Sequence, residues 1–119
     1  MIDGDNLIFK LKDKCLKSPK KEFFYGNIAN KDIKNVYLGV GYLDEDESRW
    51  FSPGKGHEEI LYLLEGKMEI EYQDKKEQLN EGEAFHASGK EKINIRNLTN
   101  ERIFFVIAGG HTEIHAHSL

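Results

Sequence analysis

The chain has 119 residues, 39% of them hydrophobic and 32% charged, which predicts one globular domain and argues against a disordered chain or two domains. Its formal net charge of −4 at pH 7 argues against an overall basic surface for nucleic acid. The single cysteine, Cys15, excludes an internal disulfide and a paired-cysteine metal site, and it permits a reducing cytoplasm.

The beginning of the sequence shows no targeting signal. Residues 1–10 are polar and lack the apolar stretch of a signal peptide. No apolar run approaches the ~20 residues needed to cross a membrane. We therefore expect a cytoplasmic protein without nucleic-acid or membrane partners.

Residues 10–21 form the one basic stretch, with six lysines and a single acidic residue. Apolar Phe9, Leu11 and Cys15 alternate with lysines, which predicts a strand with one solvated, lysine-rich face at a sheet edge. An interaction arm is the alternative interpretation.

The rest of the chain has the pattern of short strands. β-branched, aromatic and leucine residues run continuously or alternate with polar residues, and Gly, Asn, Asp or Ser bound each segment. The predicted strands are residues 36–43, 60–64, 68–72, 84–87, 93–96 and 103–108. No long window has a helical stripe, and strand spacings of roughly 8 to 12 residues favour a sandwich or barrel. We expect a single all-β domain over residues 1–119.

Several catalytic and nucleotide-binding motifs are absent. Gly39-Val40-Gly41 lacks the third glycine of a dinucleotide loop, and residues 52–56 lack the first glycine and the closing Ser or Thr of a phosphate loop. No Gly-x-Ser-x-Gly motif occurs, so nucleophilic catalysis has no specific support.

Two segments resemble the motifs of the cupin family. The first family motif runs as His-x-His, three or four residues, Glu, six residues, Gly, and residues 56–66 (GHEEILYLLEG) match it at Glu59 and Gly66. Residues 82–97 resemble the second motif, with Gly82 and Asn97 matching in type and separation. The resemblance covers about residues 36–110 and implies a small antiparallel jelly-roll (cupin) barrel, often dimeric.

The resemblance also implies a divalent metal held by three His and one Glu. At the three His positions this chain has Pro53, Lys55 and Ile93, and only Glu59 remains. Proline and isoleucine cannot bind a metal, and a lysine ammonium repels one. We therefore expect no metal cofactor at the usual place.

The remaining polar residues define a candidate ligand site. Lys55, His57 and Glu59 are two residues apart, so on a strand they face one side, and His86 could approach from across the barrel. Such a site suits an anionic or polyhydroxylated small molecule. Two alternatives remain open. His57, Glu59 and His86 could hold a displaced divalent metal in an isomerase, decarboxylase or oxygenase, or Lys55 and Glu59 could form a structural ion pair.

Two further features concern the end of the sequence and the possible partners. We expect His111, His115 and His117 to belong to an exposed tail, although His115 and His117 have the spacing of a metal-chelating pair. The apolar strands 60–64 and 103–108, together with the family resemblance, favour a homodimer. Trp50 and Phe51 could line the barrel mouth, lie at a dimer contact or belong to the core.

Overall fold

The computed structural model describes residues 8–112. These residues form one short helix and nine strands. In chain order the elements are α1 (Leu11–Lys17), β1 (Glu22–Tyr25), β2 (Val36–Leu43), β3 (Ser48–Phe51), β4 (His57–Leu63), β5 (Lys67–Tyr72), β6 (Lys75–Asn80), β7 (Ala84–Ser88), β8 (Ile93–Asn97) and β9 (Ile103–His111). None of the helices in this range has the length and apolar character needed to span a membrane.

The strands form two antiparallel sheets. The five-stranded sheet has the order β1-β2-β9-β4-β7, and the four-stranded sheet has the order β3-β8-β5-β6. Most successive strands from β2 onward change sheet, as in a jelly roll. The all-β jelly-roll prediction is therefore confirmed. All six predicted strands are present; β4 begins three residues before the predicted strand and ends one residue earlier than it, and β9 continues three residues beyond the prediction.

The basic segment is a helix, so the prediction of an edge strand at residues 9–15 is wrong. Leu11 and Cys15 are four residues apart and lie on one helical face, and Cys15 is fully buried. Phe9 precedes the helix, and its ring stacks 4.6 Å from that of Tyr25 and 5.7 Å from that of Phe23, centroid to centroid. The alternation of apolar residues with lysines covers only residues 9–15. So short a pattern also fits a short helix that is preceded by a packed aromatic ring, here that of Phe9.

The core lies between the two sheets, where alternate residues of facing strands meet. Its largest fully buried apolar members come from β2, β4, β5, β8 and β9 and are Leu43, Leu61, Leu63, Met68, Ile93, Ile95, Ile103 and Phe105. Burial of each such side chain stabilises the fold by about 1.5–3 kcal/mol. The same alternation directs Tyr37 of β2 and Glu59 of β4 toward the interior, at the end of the sheet where β9 finishes.

Candidate functional site

An open cleft lies at that end of the barrel, with a volume of about 370 Å³. Four strands, β1, β2, β4 and β9, form its floor, and the segment between β1 and β2 forms its rim. Its lining is mainly apolar and aromatic with a few polar groups, which is the usual composition of small-molecule sites. The lining side chains that carry the argument are Phe24, Lys34, Tyr37, His57, Glu59 and His111.

Glu59 is the most deeply buried ionisable group of the cleft, with 7% of its surface exposed. The hydroxyl of Tyr37 donates a hydrogen bond to Glu59 Oε2 at 2.5 Å. Both residues pair with Gly109, so the three lie side by side on β2, β9 and β4. A Cβ on residue 109 would lie 2.5–2.6 Å from atoms of the Tyr37 ring. Glycine at this position therefore lets the phenol cross β9 and reach the carboxyl group.

The environment shifts the pKa values of both partners. Burial is the main cause that raises the pKa of Glu59, and the Tyr37 hydrogen bond and the His57 charge oppose it. Burial and the bond to Glu59 raise the pKa of Tyr37, so the phenol stays protonated at neutral pH. Tyr37 is thus a hydrogen-bond donor. Among residues 8–112 no donor bonds the second oxygen, Glu59 Oε1, so that oxygen is available to accept hydrogen bonds from a ligand.

His57 places an imidazole beside this pair. Its ring centroid lies 6.0 Å from that of Tyr37 and 4.7 Å from that of His111, its cross-strand neighbour on β9. The His57 Nδ1 atom is 3.2 Å from the carbonyl oxygen of Lys55. Because a carbonyl oxygen only accepts, Nδ1 carries a hydrogen, and in that tautomer Nε2 is the acceptor.

Only two of the four predicted ligand residues are brought together. His57 and Glu59 both line the cleft. Lys55 lies exposed in the turn before β4, and among residues 8–112 no ion pair joins it to Glu59, so the structural-pair alternative is not realised. Lys34 is the lysine that lines the cleft.

The expected position of His86 across the barrel is wrong. His86 pairs with Ile60 and therefore lies on the outer face of the sheet, opposite to Glu59. Its Nε2 atom is 2.9 Å from Glu58 Oε1. Consequently, the structure does not assemble His57, Glu59 and His86 into a displaced metal site. Within residues 8–112 no three His, Cys, Asp or Glu side chains are grouped so as to hold a metal ion.

His111 was expected in an exposed tail but ends β9, although its side chain is still largely exposed. Its Nδ1 atom lies 3.3 Å from Asn35 Oδ1. His115 and His117 lie outside the described residues. Sequence reasoning also missed Tyr37 and Lys34. The two glycines at 109 and 110 were the available signal, since glycine inside a strand often marks a close approach of another group.

Comparisons with known proteins agree with this architecture. No protein-family model matches the sequence, and no curated protein matches it. Several solved structures match the fold of the chain. A cupin protein from Bacteroides fragilis is 17% identical and matches with a TM-score of 0.66, covering 82% of this chain and 81% of its own. A predicted oxalate decarboxylase from Thermotoga maritima is 18% identical, with a TM-score of 0.62 and coverage of 76% and 80%.

The cupin domain of Cnp3 from Schizosaccharomyces pombe has a TM-score of 0.62 at 13% identity and covers 71% of this chain. The match spans 61% of the Cnp3 chain. Together with the strand order and the two motif-like segments, these neighbours show that the chain has a cupin fold. At such low identities the likeness concerns the fold, because one fold hosts many unrelated functions.

Proposed function

We propose that this cupin-fold protein binds a small polyhydroxylated molecule in the cleft, without a metal ion. The observation that carries the proposal is the buried Glu59 carboxyl group, which Tyr37 holds by one oxygen while the other oxygen stays available. A carboxylate that needs further hydrogen-bond donors in a mainly apolar cleft suits hydroxyl groups.

The other cleft residues support the same kind of ligand. Nε2 of His57 can accept a second hydroxyl hydrogen, and the rings of Phe24 and Tyr37 offer apolar surface to the carbon skeleton of a sugar-like molecule. Lys34 at the rim provides one positive charge, so a ligand with one acidic group also fits. Lys55 is directed elsewhere, which makes a fully anionic ligand a poorer match for a cleft that contains Glu59.

Metal binding is the competing hypothesis, and the Tyr37 hydrogen bond weighs against it. One Glu59 oxygen already accepts from Tyr37. Two of the positions where the resemblance implies a His ligand are Pro53, which lines the cleft, and Ile93, which is buried in the core. The alternative of an enzyme that uses His57, Glu59 and His86 is disfavoured, because His86 lies on the outer face of the sheet.

Binding is tested by NMR titration of the wild type with a panel of neutral monosaccharides, cyclic polyols and sugar acids. We expect a neutral polyol or a monoacidic sugar to shift signals from Tyr37, His57 and Glu59. Glu59→Gln should weaken binding at least tenfold, because it replaces a charged acceptor. The matched control, His86→Ala on the outer face, should bind as the wild type does.

A second titration with Zn²⁺, Mn²⁺, Fe²⁺ and Ni²⁺ separates the two hypotheses. Stoichiometric tight binding that is lost in Glu59→Gln and in His57→Ala would show that the cleft is a metal site, and the metal-free proposal would then be wrong.

A further inference from the structure

The four-stranded sheet carries the only tryptophan of the chain on its outer face. Trp50 of β3 is 62% exposed, although tryptophan is on average a highly buried residue. It pairs with Asn94 of β8, whose neighbours Ile93 and Ile95 are buried in the core. Because side chains alternate along a strand, Trp50 and Asn94 both face away from the core. The indole ring therefore lies outside the barrel, on a different sheet from Glu59.

Polar side chains extend from Trp50 across this face in two rows, each with one residue from every strand. The rows are Trp50, Asn94, Glu71, Lys76 and Ser48, Arg96, Glu69, Gln78, where each residue pairs with the next. At about 4.8 Å between strands, each row spans about 14 Å. Next to the indole ring, a groove of about 560 Å³ continues along Phe51, Ser52 and Lys92. We call the surface formed by the two rows the tryptophan face.

We propose that the tryptophan face binds a neutral oligosaccharide. The flat side of a sugar ring presents C–H groups with a partial positive charge, which the negative face of an aromatic ring attracts. The hydroxyl groups at the edge of the sugar need donors and acceptors beside that ring, and the Asn94 amide supplies both. Glu71 adds acceptors and Arg96 adds donors on the neighbouring positions.

The charges of the tryptophan face favour an uncharged ligand. Glu71 pairs with Lys76 in the first row, and Arg96 pairs with Glu69 in the second. Each row thus contains one positive and one negative group on adjacent strands, which attract each other across the sheet. A single-stranded nucleic acid also stacks on aromatic rings, but it requires a positively charged groove along its phosphates. The balanced rows do not provide one.

The same face is poorly suited to the core of a protein interface. Such a core is apolar and depleted of charged residues. Among the large apolar residues in the four strands of this sheet, all within the described range, Trp50 alone is exposed. A single ring among polar groups matches a sugar, which has an apolar face and a polar edge.

Intrinsic fluorescence tests the proposal directly, because Trp50 is the only tryptophan. We expect at least one of cellohexaose, maltohexaose and xylohexaose to change the emission of the wild type saturably. The variants are compared by the NMR shifts of the Arg96 backbone amide. Trp50→Ala should weaken binding about tenfold or more, and Trp50→Tyr, which keeps an aromatic face, less than about threefold. Asn94→Ala should weaken binding about threefold to tenfold.

Two further variants locate the binding. Tyr62→Ala is the matched control, because it removes an exposed aromatic ring from the other sheet, and it should bind as the wild type does. Glu59→Gln changes the cleft and should leave the fluorescence titration unaltered, so the two sites are tested separately.

Four results would each overturn the proposal. They are no saturable response to any of the three sugars, unchanged binding by a folded Trp50→Ala variant, loss of the response in Glu59→Gln, and tighter binding of hexauridylate than of the sugars. The third result would place the sugar in the cleft, and the fourth would make the tryptophan face a nucleic-acid surface. Circular dichroism of each variant confirms that it is folded.

Discussion

At the scale of single residues, the protonation state of Glu59 in the cleft affects the stability of the fold. Burial raises its folded-state pKa above the ordinary value of 4.5, so the folded protein holds this proton more tightly than the unfolded chain does. The stabilisation that this proton gives is complete at pH values below the pKa of Glu59 in the unfolded chain. It is lost as the pH rises through the pKa of Glu59 in the folded protein.

A comparison of the wild type with Glu59→Gln measures this coupling, since glutamine does not titrate. We expect the free energy of unfolding of the wild type, relative to that of the variant, to fall as pH rises from about 4.5 toward neutrality. Urea unfolding at several pH values gives the difference directly. A difference that stays constant or increases over this range would contradict the raised pKa.

Gly109 provides a second test at the same place. The added methyl group in Gly109→Ala would lie 2.5 Å from the Tyr37 ring, which must move and release Glu59. We expect the substitution to lower the free energy of unfolding by about 2 kcal/mol. The cost should shrink when Tyr37→Ala is also present, because the clashing ring is then gone. Equal costs in the two backgrounds would show that the glycine serves another purpose.

Asn97, which the second motif identified, has a structural role. It is 1% exposed, and its amide nitrogen is directed at the carbonyl oxygens of Leu43 at 3.1 Å, Asp44 at 3.1 Å and Glu101 at 2.8 Å. Its side chain therefore fastens the end of β8 to the turns after β2 and before β9.

Asn97→Ala removes the amide donor from these three carbonyl oxygens and the Oδ1 acceptor from Thr99, although the carbonyl oxygens of Asp44 and Glu101 keep donors in Glu47 N and Thr99 Oγ1. We expect a loss of about 3 kcal/mol in the free energy of unfolding, measured by urea titration. Asn94→Ala, on the outward face of the same strand, is the control and should cost less than about 0.5 kcal/mol. Similar losses for the two variants would mean that Asn97 makes no special contribution.

At the scale of elements, α1 depends on Cys15 and on the Phe9 stack for its position. The thiol is fully buried, and burial raises its pKa. Only the thiolate reacts readily with disulfide reagents. We expect Ellman's reagent to modify the native protein far more slowly than the urea-unfolded chain.

Phe9→Ala removes the ring that packs on Tyr25 and Phe23, and it should accelerate the modification by loosening α1. Leu64→Ala, at an exposed position outside this contact, is the control and should leave the rate unchanged. Equal rates for native and unfolded protein would show that α1 does not protect the thiol.

The strands that sequence reasoning did not identify share a physical property. β1, β3 and β6 lie at sheet edges, and of the six residues of β6 only Leu79 is buried. β1 and β3 have four residues each, and none of these residues is buried, so neither strand shows a clear hydrophobic alternation although both carry aromatic residues. The internal strands β2, β4, β5, β8 and β9 were predicted because their buried residues alternate or run together. The edge strand β7 was also predicted, at residues 84–87.

The candidate site could be predicted only in part for a related reason. His57 and Glu59 lie on one strand two residues apart, and their common face follows from strand geometry alone. The side on which His86 lies depends on the register between β4 and β7, which the sequence does not specify. The contact of Tyr37 with Glu59 depends on three strands at once.

At the scale of the whole molecule, the two faces of the five-stranded sheet should act independently. Glu59 faces the cleft, and Ile60 beside it is exposed on the opposite face. We expect Ile60→Glu to keep ligand affinity within about twofold of the wild type, whereas Glu59→Gln should weaken it at least tenfold. NMR titration of both variants measures this. If Ile60→Glu also loses ligand affinity, the two faces are coupled rather than independent.

The position of β9 has a consequence for the folding pathway. Among the described strands it comes latest in sequence, yet it lies in the middle of the five-stranded sheet, between β2 and β4. Neither of these strands can complete its hydrogen bonding until β9 has been synthesised and inserted. Pairings between such distant segments form slowly. Until then β2 and β4 present open edges, so chaperone demand and aggregation should be greatest in the interval before β9 closes the sheet.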